Sequence, residues 1–208
     1  ARWEVALRND LAMAYSNRGN AKQATGGHGP AAALADYDAA IAIFDALRRL
    51  LEPDGRWEVA LRNNLASAYS NRGGAKQAAG GHGPAVARAD YDAAIAIRAD
   101  LRDLLLRLGG EAAWSPWDRF QLAQLYLARI RLKGTRDSAA DQDAVRSIAE
   151  NLDAIGQQQL AAGLMGALAM AKLPRPVLWI IERLLRPFAG WLQRLRQRFE
   201  SDAMSWRR

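Results

Sequence analysis

Arg2-Trp3-Glu4-Val5-Ala6-Leu7-Arg8-Asn9 returns, residue for residue, as Arg56-Trp57-Glu58-Val59-Ala60-Leu61-Arg62-Asn63. The match continues to Asp54 and Leu108 at a constant offset of 54, with 40 of 53 positions identical. Agreement of that extent is a duplication, so the chain is built from units. In the second unit, Trp57 to Ala78 carries Val59, Leu61, Leu65, Ala68 and Tyr69 near helical spacing, which predicts one helix. Gly80-Gly81-His82-Gly83-Pro84 stops it, because three glycines and a proline disfavour continued helix. A second helix is expected from Pro84, a residue suited to a first helical turn. It runs through Ala87, Tyr91, Ala94, Ile95, Ile97, Leu101 and Leu104-Leu105, and Gly109-Gly110 ends it as a C-cap. No stretch alternates over enough residues to predict a strand, so the expected class is all-α.

A third, diverged unit follows. Leu122-Ala123-Gln124-Leu125-Tyr126-Leu127-Ala128-Arg129 keeps the frame of Leu65-Ala66-Ser67-Ala68-Tyr69-Ser70-Asn71-Arg72, and Asp141-Gln142-Asp143-Ala144 echoes Asp90-Tyr91-Asp92-Ala93. The loop between them offers Ser138 as a helix cap. Divergence at the end of an array is expected, because a terminal unit faces something other than another unit. The organisation read from this is repeats over residues 1–155, with units of about 2–55, 56–110 and 114–155, then a basic C-terminal segment, 156–208.

The 208 residues are half hydrophobic and a quarter charged, enough to bury a core. There is no Cys, which excludes disulfides, thiolate metal sites and a cysteine nucleophile. Two histidines exclude a three-His metal site. The chain begins Ala1-Arg2 without Met, as a fragment or processed form does, and its start does not resemble a cleavable signal peptide. The net charge of +7 is uneven: residues 1–171 sum to +1 and residues 172–208 to +6. A basic end on a neutral body suits an acidic partner or an anionic surface.

Leu65-Ala66-x-x-Tyr69-x-x-x-Gly73 followed by Ala87-x-x-x-Tyr91-x-x-Ala94 resembles a tetratricopeptide repeat (TPR). The unit of 54 residues is longer than that family's usual length of about 34. Arg62-Asn63-Asn64-Leu65-Ala66 with Asp90-Tyr91-x-x-Ala94-Ile95-x-Ile97 is most similar to the longer repeats of the kinesin-light-chain type. The resemblance implies a right-handed solenoid of antiparallel helix pairs, closed by C-terminal capping helices. It also implies a concave groove lined by the first helix of each unit, in which asparagines clamp a peptide backbone.

On that face stand Asn9, Met13, Ser16 and Asn17, with Asn63, Ser67, Ser70 and Asn71 at the same places in the second unit. The spacing i, i+4, i+7, i+8 puts each set on one side of its helix. An asparagine amide both donates and accepts, and so suits a peptide backbone. The bland alternative is an ordinary solvated face. The expected peptide groove is Asn9, Met13, Asn17, Asn63, Ser67 and Asn71, exposed and replaceable without loss of fold. The third unit has Phe120, Gln124, Leu127 and Ala128 there instead.

Other candidates are weaker. His28 and His82 occupy equivalent glycine-rich loops with no partner ligands at suitable spacing, and these loops lack the Gly-Lys-Ser/Thr ending of a phosphate loop. Asp36/Asp38 and Asp90/Asp92 lie two apart, which does not make a catalytic pair on a helix. They are expected to cap or solvate the second helix, with Arg18 and Arg72 as alternative partners between helices. Trp3, Trp57, Trp114 and Trp117 open successive units and are expected to be packing anchors. No catalytic residues, metal or cofactor are expected.

After Pro174 and Pro176, apolar residues from Val177 to Phe199 recur every three to four positions, opposite Arg183, Arg186, Arg194, Arg196 and Arg198. Trp179 and Trp191 lie on this basic amphipathic segment. It suits three uses: a cap on the last repeat through Val177, Ile180, Ile181, Leu184 and Leu185; an anchor on anionic lipid; or a contact with a partner or a second copy. Arg183, Arg186, Trp191, Arg194 and Arg198 are the residues expected to meet a membrane or acidic partner. Nucleic acid is disfavoured, since no known binding motif accompanies the charge. The expected function is a non-enzymatic, cytoplasmic scaffold that binds a peptide or protein segment. The alternative is a peripheral membrane-surface adaptor held by the C-terminal helix.

Overall fold

A computed structural model of the chain describes residues 2–25, 29–80, 83–133 and 138–173. Among them are seven α-helices, one 3-10 turn and no strand. The helices are α1 (Arg2–Ala24), α2 (Gly29–Leu51), α3 (Val59–Ala79), α4 (Pro84–Gly109), α5 (Pro116–Lys133), α6 (Ala139–Ala154) and α7 (Gln158–Ala171), with the 3-10 turn Gly110–Ala113 between α4 and α5. The all-α expectation holds. One compact unit spans Ala1–Ala171 and a second Lys172–Arg208. The first takes in α7. His28, His82 and the tail residues Val177, Ile180, Ile181, Leu184, Leu185, Arg183, Arg186, Trp191, Arg194, Arg196 and Arg198 lie outside the described residues.

The ends of the helices follow local chemistry. Pro84 sits at the start of α4, where its missing N–H costs no helical bond. Gly80 after α3 and Gly110 after α4 have φ of 72° and 64°, the left-handed region that a side chain rarely adopts. Ser115 begins α5: its Oγ accepts from the Asp118 amide at 3.1 Å and donates to the Asp118 carboxylate at 2.6 Å, with Pro116 at the first helical position. Ser138 stands at the N-cap position of α6, but its side chain makes no capping bond to the helix backbone; its Oγ accepts from the Gln142 side chain.

Each helix packs on the next, and α1 also touches α3 as α5 touches α7. One core cluster joins the first unit to the second: Ile41, Phe44, Leu47 and Leu51 of α2 meet Trp57, Leu61, Leu65 and Ala68 at the start of the next unit. Another joins Tyr91, Ala94 and Ile95 of α4 to Trp114 and Leu122 and continues through α6 into Leu164 and Leu168 of α7. Full burial of each such large apolar side chain is worth about 1.5–3 kcal/mol. Trp57 and Trp114 are thus packing anchors, as expected. Trp3 is 70% exposed and Trp117 is half exposed, stacked on Phe120.

Within each of the first two units, a glycine of the first helix lies close against a tyrosine of the second. A Cβ on Gly19 would lie 2.8 Å from the Tyr37 ring, and one on Gly73 would lie 3.3 Å from the Tyr91 ring. The third unit has Ile130 and Gln142 at the equivalent places, both buried. The bulk has moved from one helix to the other, so the pair still fills the space.

Candidate functional site

The six expected groove residues divide into two groups. Met13 and Asn17 on α1 are exposed, and Asn71 on α3 is half buried. Asn9 and Asn63 differ from the expectation of free exposure. Asn9 is half buried and accepts a 3.1 Å bond from Asn64, across from α1 to α3. Its amide nitrogen lies 3.4 Å from the Asp10 carboxylate and 3.6 Å from the Met13 sulfur. Asn63 and Ser67 both accept from Arg98 of α4, at 3.0 and 3.4 Å. These side chains are engaged between helices, so their amides are only partly available to a ligand.

Arg98 marks a chemical difference between the two near-identical units at a buried position. It stands where the first unit has Phe44, a fully buried core residue. Arg98 is itself only 6% exposed, and its guanidinium lies 4.0 Å from the Asp118 carboxylate on α5. Asp118 in turn occupies the position of Leu61, and Ser67 the position of Met13. The apolar pair Phe44 and Leu61 at the first unit boundary has thus become the polar pair Arg98 and Asp118 at the second. Burial pushes the Arg98 pKa down to about 10, only partly opposed by Asp118. It remains charged at neutral pH.

The paired aspartates carry a recurring linkage instead of capping or merely solvating the second helix. Asp36, Asp90 and Asp141 are buried, and each is ion-paired with the arginine and the lysine of its own unit's first helix. In the second unit, Arg72 grips Asp90 at 3.0 and 2.6 Å and Lys76 adds a contact at 2.9 Å. Arg18 with Lys22 and Arg129 with Lys133 repeat the arrangement. The outer aspartates cross to the following unit: Arg72 donates to Asp38 at 2.6 Å and Arg129 to Asp92 at 2.7 Å. Each arginine also lies over a tyrosine of its own helix: Arg18 over Tyr15, Arg72 over Tyr69 and Arg129 over Tyr126, at 5.0–5.3 Å. Burial works against the Arg72 charge, but the bonds to Asp90 and Asp38 outweigh it and hold the pKa above its ordinary value. Arg129 behaves the same way through Asp141 and Asp92. The Arg18 bond holds Asp36 below the usual carboxylate range, against the effect of its burial.

A second recurring device orients the start of the first helix. Arg62 donates to the Trp57 carbonyl at 3.0 Å, and Arg119 to the Trp114 carbonyl at 2.9 Å. The pattern Trp-x-x-x-x-Arg is present in the sequence at all three unit starts, and its role emerges only when the turn before the helix is seen.

A shallow dent of about 550 Å³ lies between the ends of α1 and α2, lined by Glu4, Val5, Arg8, Ala46, Arg49, Leu50 and Arg56. Arg8 there is paired with Glu4, and the lining combines no nucleophile with a base. Among the described residues no group of His, Asp or Glu has the arrangement to hold a metal ion, and no helix is long and apolar enough to cross a membrane. No protein-family model matches the chain, and no curated protein or solved structure matches it either.

Proposed function

We propose that the chain is a protein–protein interaction scaffold. In this reading its units form a TPR-like right-handed solenoid, and the first helices present a surface that binds a peptide or protein segment. The observation that carries it is the arginine–aspartate linkage repeated at both unit boundaries, Arg72 to Asp38 and Arg129 to Asp92. A linkage that repeats from unit to unit fixes the same helix relation each time, which is how an array generates one extended face. On that face Met13, Asn17 and Asn71 are the residues best placed to meet a ligand, with Trp117 and Gln124 exposed on α5. Asn9 and Asn63 contribute by holding the helices that carry them. The test is selection of a random peptide library on the immobilised chain, followed by binding of enriched peptides to an Asn17→Ala/Asn71→Ala variant. Loss of binding with an unchanged melting profile supports this face. Enriched peptides that bind the variant as well as the parent would refute it.

The membrane-adaptor alternative is favoured by one observation, the +6 charge of residues 172–208 alternating with apolar residues. Vesicle sedimentation tests it, as set out below.

A further inference from the structure

The two ends of the array are chemically unequal, and the inequality points to a partner for the first one. Trp57, Leu61 and Leu65 are 4%, 6% and 0% exposed because α2 of the preceding unit covers them. Their counterparts on α1, Trp3, Leu7 and Leu11, are 70%, 62% and 49% exposed. The residues are identical in type, and Leu7 and Leu11 hold on α1 the places that Leu61 and Leu65 hold on α3, while Trp3 lies within α1 and Trp57 just ahead of α3; no helix of a preceding unit covers the first set. Such an apolar strip, contiguous along one helix, is the kind of surface that marks an interaction site.

The polar groups around the strip match the same occupant. At the natural boundary, Tyr69 donates to Asp45 of the preceding unit at 3.3 Å and Arg72 donates to its Asp38 at 2.6 Å. The equivalent donors on α1 are Tyr15 and Arg18. The Arg18 side chain is 58% exposed, against 19% for Arg72, because it grips only the aspartate of its own unit. A helix that brought Phe44, Leu47 and Leu51 to Trp3, Leu7 and Leu11 would at the same stroke bring Asp38 and Asp45 to Arg18 and Tyr15. Apolar shape and charge therefore select one chemistry.

We infer that the α1 face is a docking surface for one more helix pair of this same repeat type, stacked ahead of α1 in the array. Among the described residues, a second copy of the present chain offers no uncovered second helix, since its α6 packs on its own α7. Its α2 face is covered by its own α3, and its α4 face by its own α5. The occupant is thus a repeat unit with an uncovered second helix. This inference is independent of where on the first helices a ligand binds.

The experiment extends the full chain by a copy of residues 2–55 joined ahead of Arg2, so that Gly55 of the copy takes the place of Ala1. Oxidative footprinting reads Trp3, Leu7 and Leu11 in the parent and the extended chain. The expected result is a gain of helical signal equal to one unit, with Trp3 reactivity falling in proportion to the drop from 70% exposure toward the 4% of Trp57. Asp38→Ala and Asp45→Ala within the added copy should partly restore the reactivity. An extended chain that gains no helical signal overturns the inference, as does one that gains it while Trp3 stays as reactive. The parent is also sedimented across a concentration series. A monomer agrees with the inference. A dimer abolished by Leu7→Glu overturns it, since the face would then be an interface between copies.

Discussion

Asp90→Asn removes one charge, and almost no volume, from the centre of a well-buried linkage. Asp90 is 4% exposed, and its partners Arg72 and Lys76 are 19% and 16% exposed. The substitution leaves two cations beside a neutral amide with little water to replace the lost carboxylate. Removing one partner from a buried pair costs about 3–5 kcal/mol. Arg72 keeps its bond to Asp38, which is 60% exposed and able to follow it, so the low end near 3 kcal/mol applies. The same change at Asp36 meets different surroundings. Arg18 and Lys22 are 58% and 39% exposed and relax into solvent, so the loss belongs on the surface scale of about 1 kcal/mol or less. Asp141→Asn, with Arg129 and Lys133 at 17% and 16%, should resemble Asp90→Asn. Urea unfolding followed by circular dichroism and by tryptophan fluorescence measures all three. With a slope of about 1–3 kcal/mol per molar urea, the Asp90 variant should shift the midpoint by about 1–3 M. Two probes are needed because repeat arrays do not always unfold in one step. If Asp36→Asn costs as much as Asp90→Asn, or if Asp90→Asn lies within about 0.5 kcal/mol of the parent, burial is not what sets the strength of the linkage.

Further outcomes are expected elsewhere. Asp118→Leu alone should destabilise the chain by stranding the buried Arg98, whereas Arg98→Phe with Asp118→Leu, which recreates the first unit boundary at the second, should be neutral or stabilising by about 1–4 kcal/mol; a thermodynamic cycle that is additive would contradict the coupling. Gly19→Ala should lower stability by about 1–3 kcal/mol, the cost of overpacking against Tyr37, even though alanine favours helix; a raised melting temperature would show that the ring moves freely. Asp36 has a folded pKa below its ordinary value of 3.8, so its contribution is present above 3.8 and is lost as pH falls through the lower folded value. The stability gap between the parent and Asp36→Asn should therefore close on acidification below 3.8, and a gap that widens there would reverse the sign. For the basic segment, sedimentation with anionic vesicles at low salt should pull down the full chain if residues 172–208 are an anchor, and Arg183→Glu with Arg186→Glu should abolish it; a chain that stays in the supernatant ends the membrane alternative.

The helical pairs and their boundaries were legible in the sequence because their causes are local. Pro84, Gly80 and Gly110 act through their own backbone preferences, and the apolar spacing of α4 needs no distant partner to be read. The duplication fixed that residues 2–54 and 56–108 share a pattern, and it placed Trp57 and Trp114 as anchors. It did not distinguish Trp3 from Trp57, since the two stand in the same eight-residue stretch of sequence; in the structure Trp3 lies within α1 and is exposed, whereas Trp57 stands ahead of α3 and is covered by α2.

The candidate face shows the same division. Spacing alone put Asn9 and Asn63 on one side of their helices, and the charge pattern offered Arg18 and Arg72 as partners for the paired aspartates. Which amides remain available depended on Arg98 and Asn64, which reach them from other helices. Which aspartate serves its own unit and which serves the next depended on the offset between stacked pairs. A helical period specifies direction around an axis, so the sequence by itself determined helices, faces and repeats. The distance between axes is set by how side chains fill the space between them, as Gly19 against Tyr37 and Ile130 against Gln142 do. That packing belongs to the tertiary structure, which alone decided that the linkages run from unit to unit and that the first face is left uncovered.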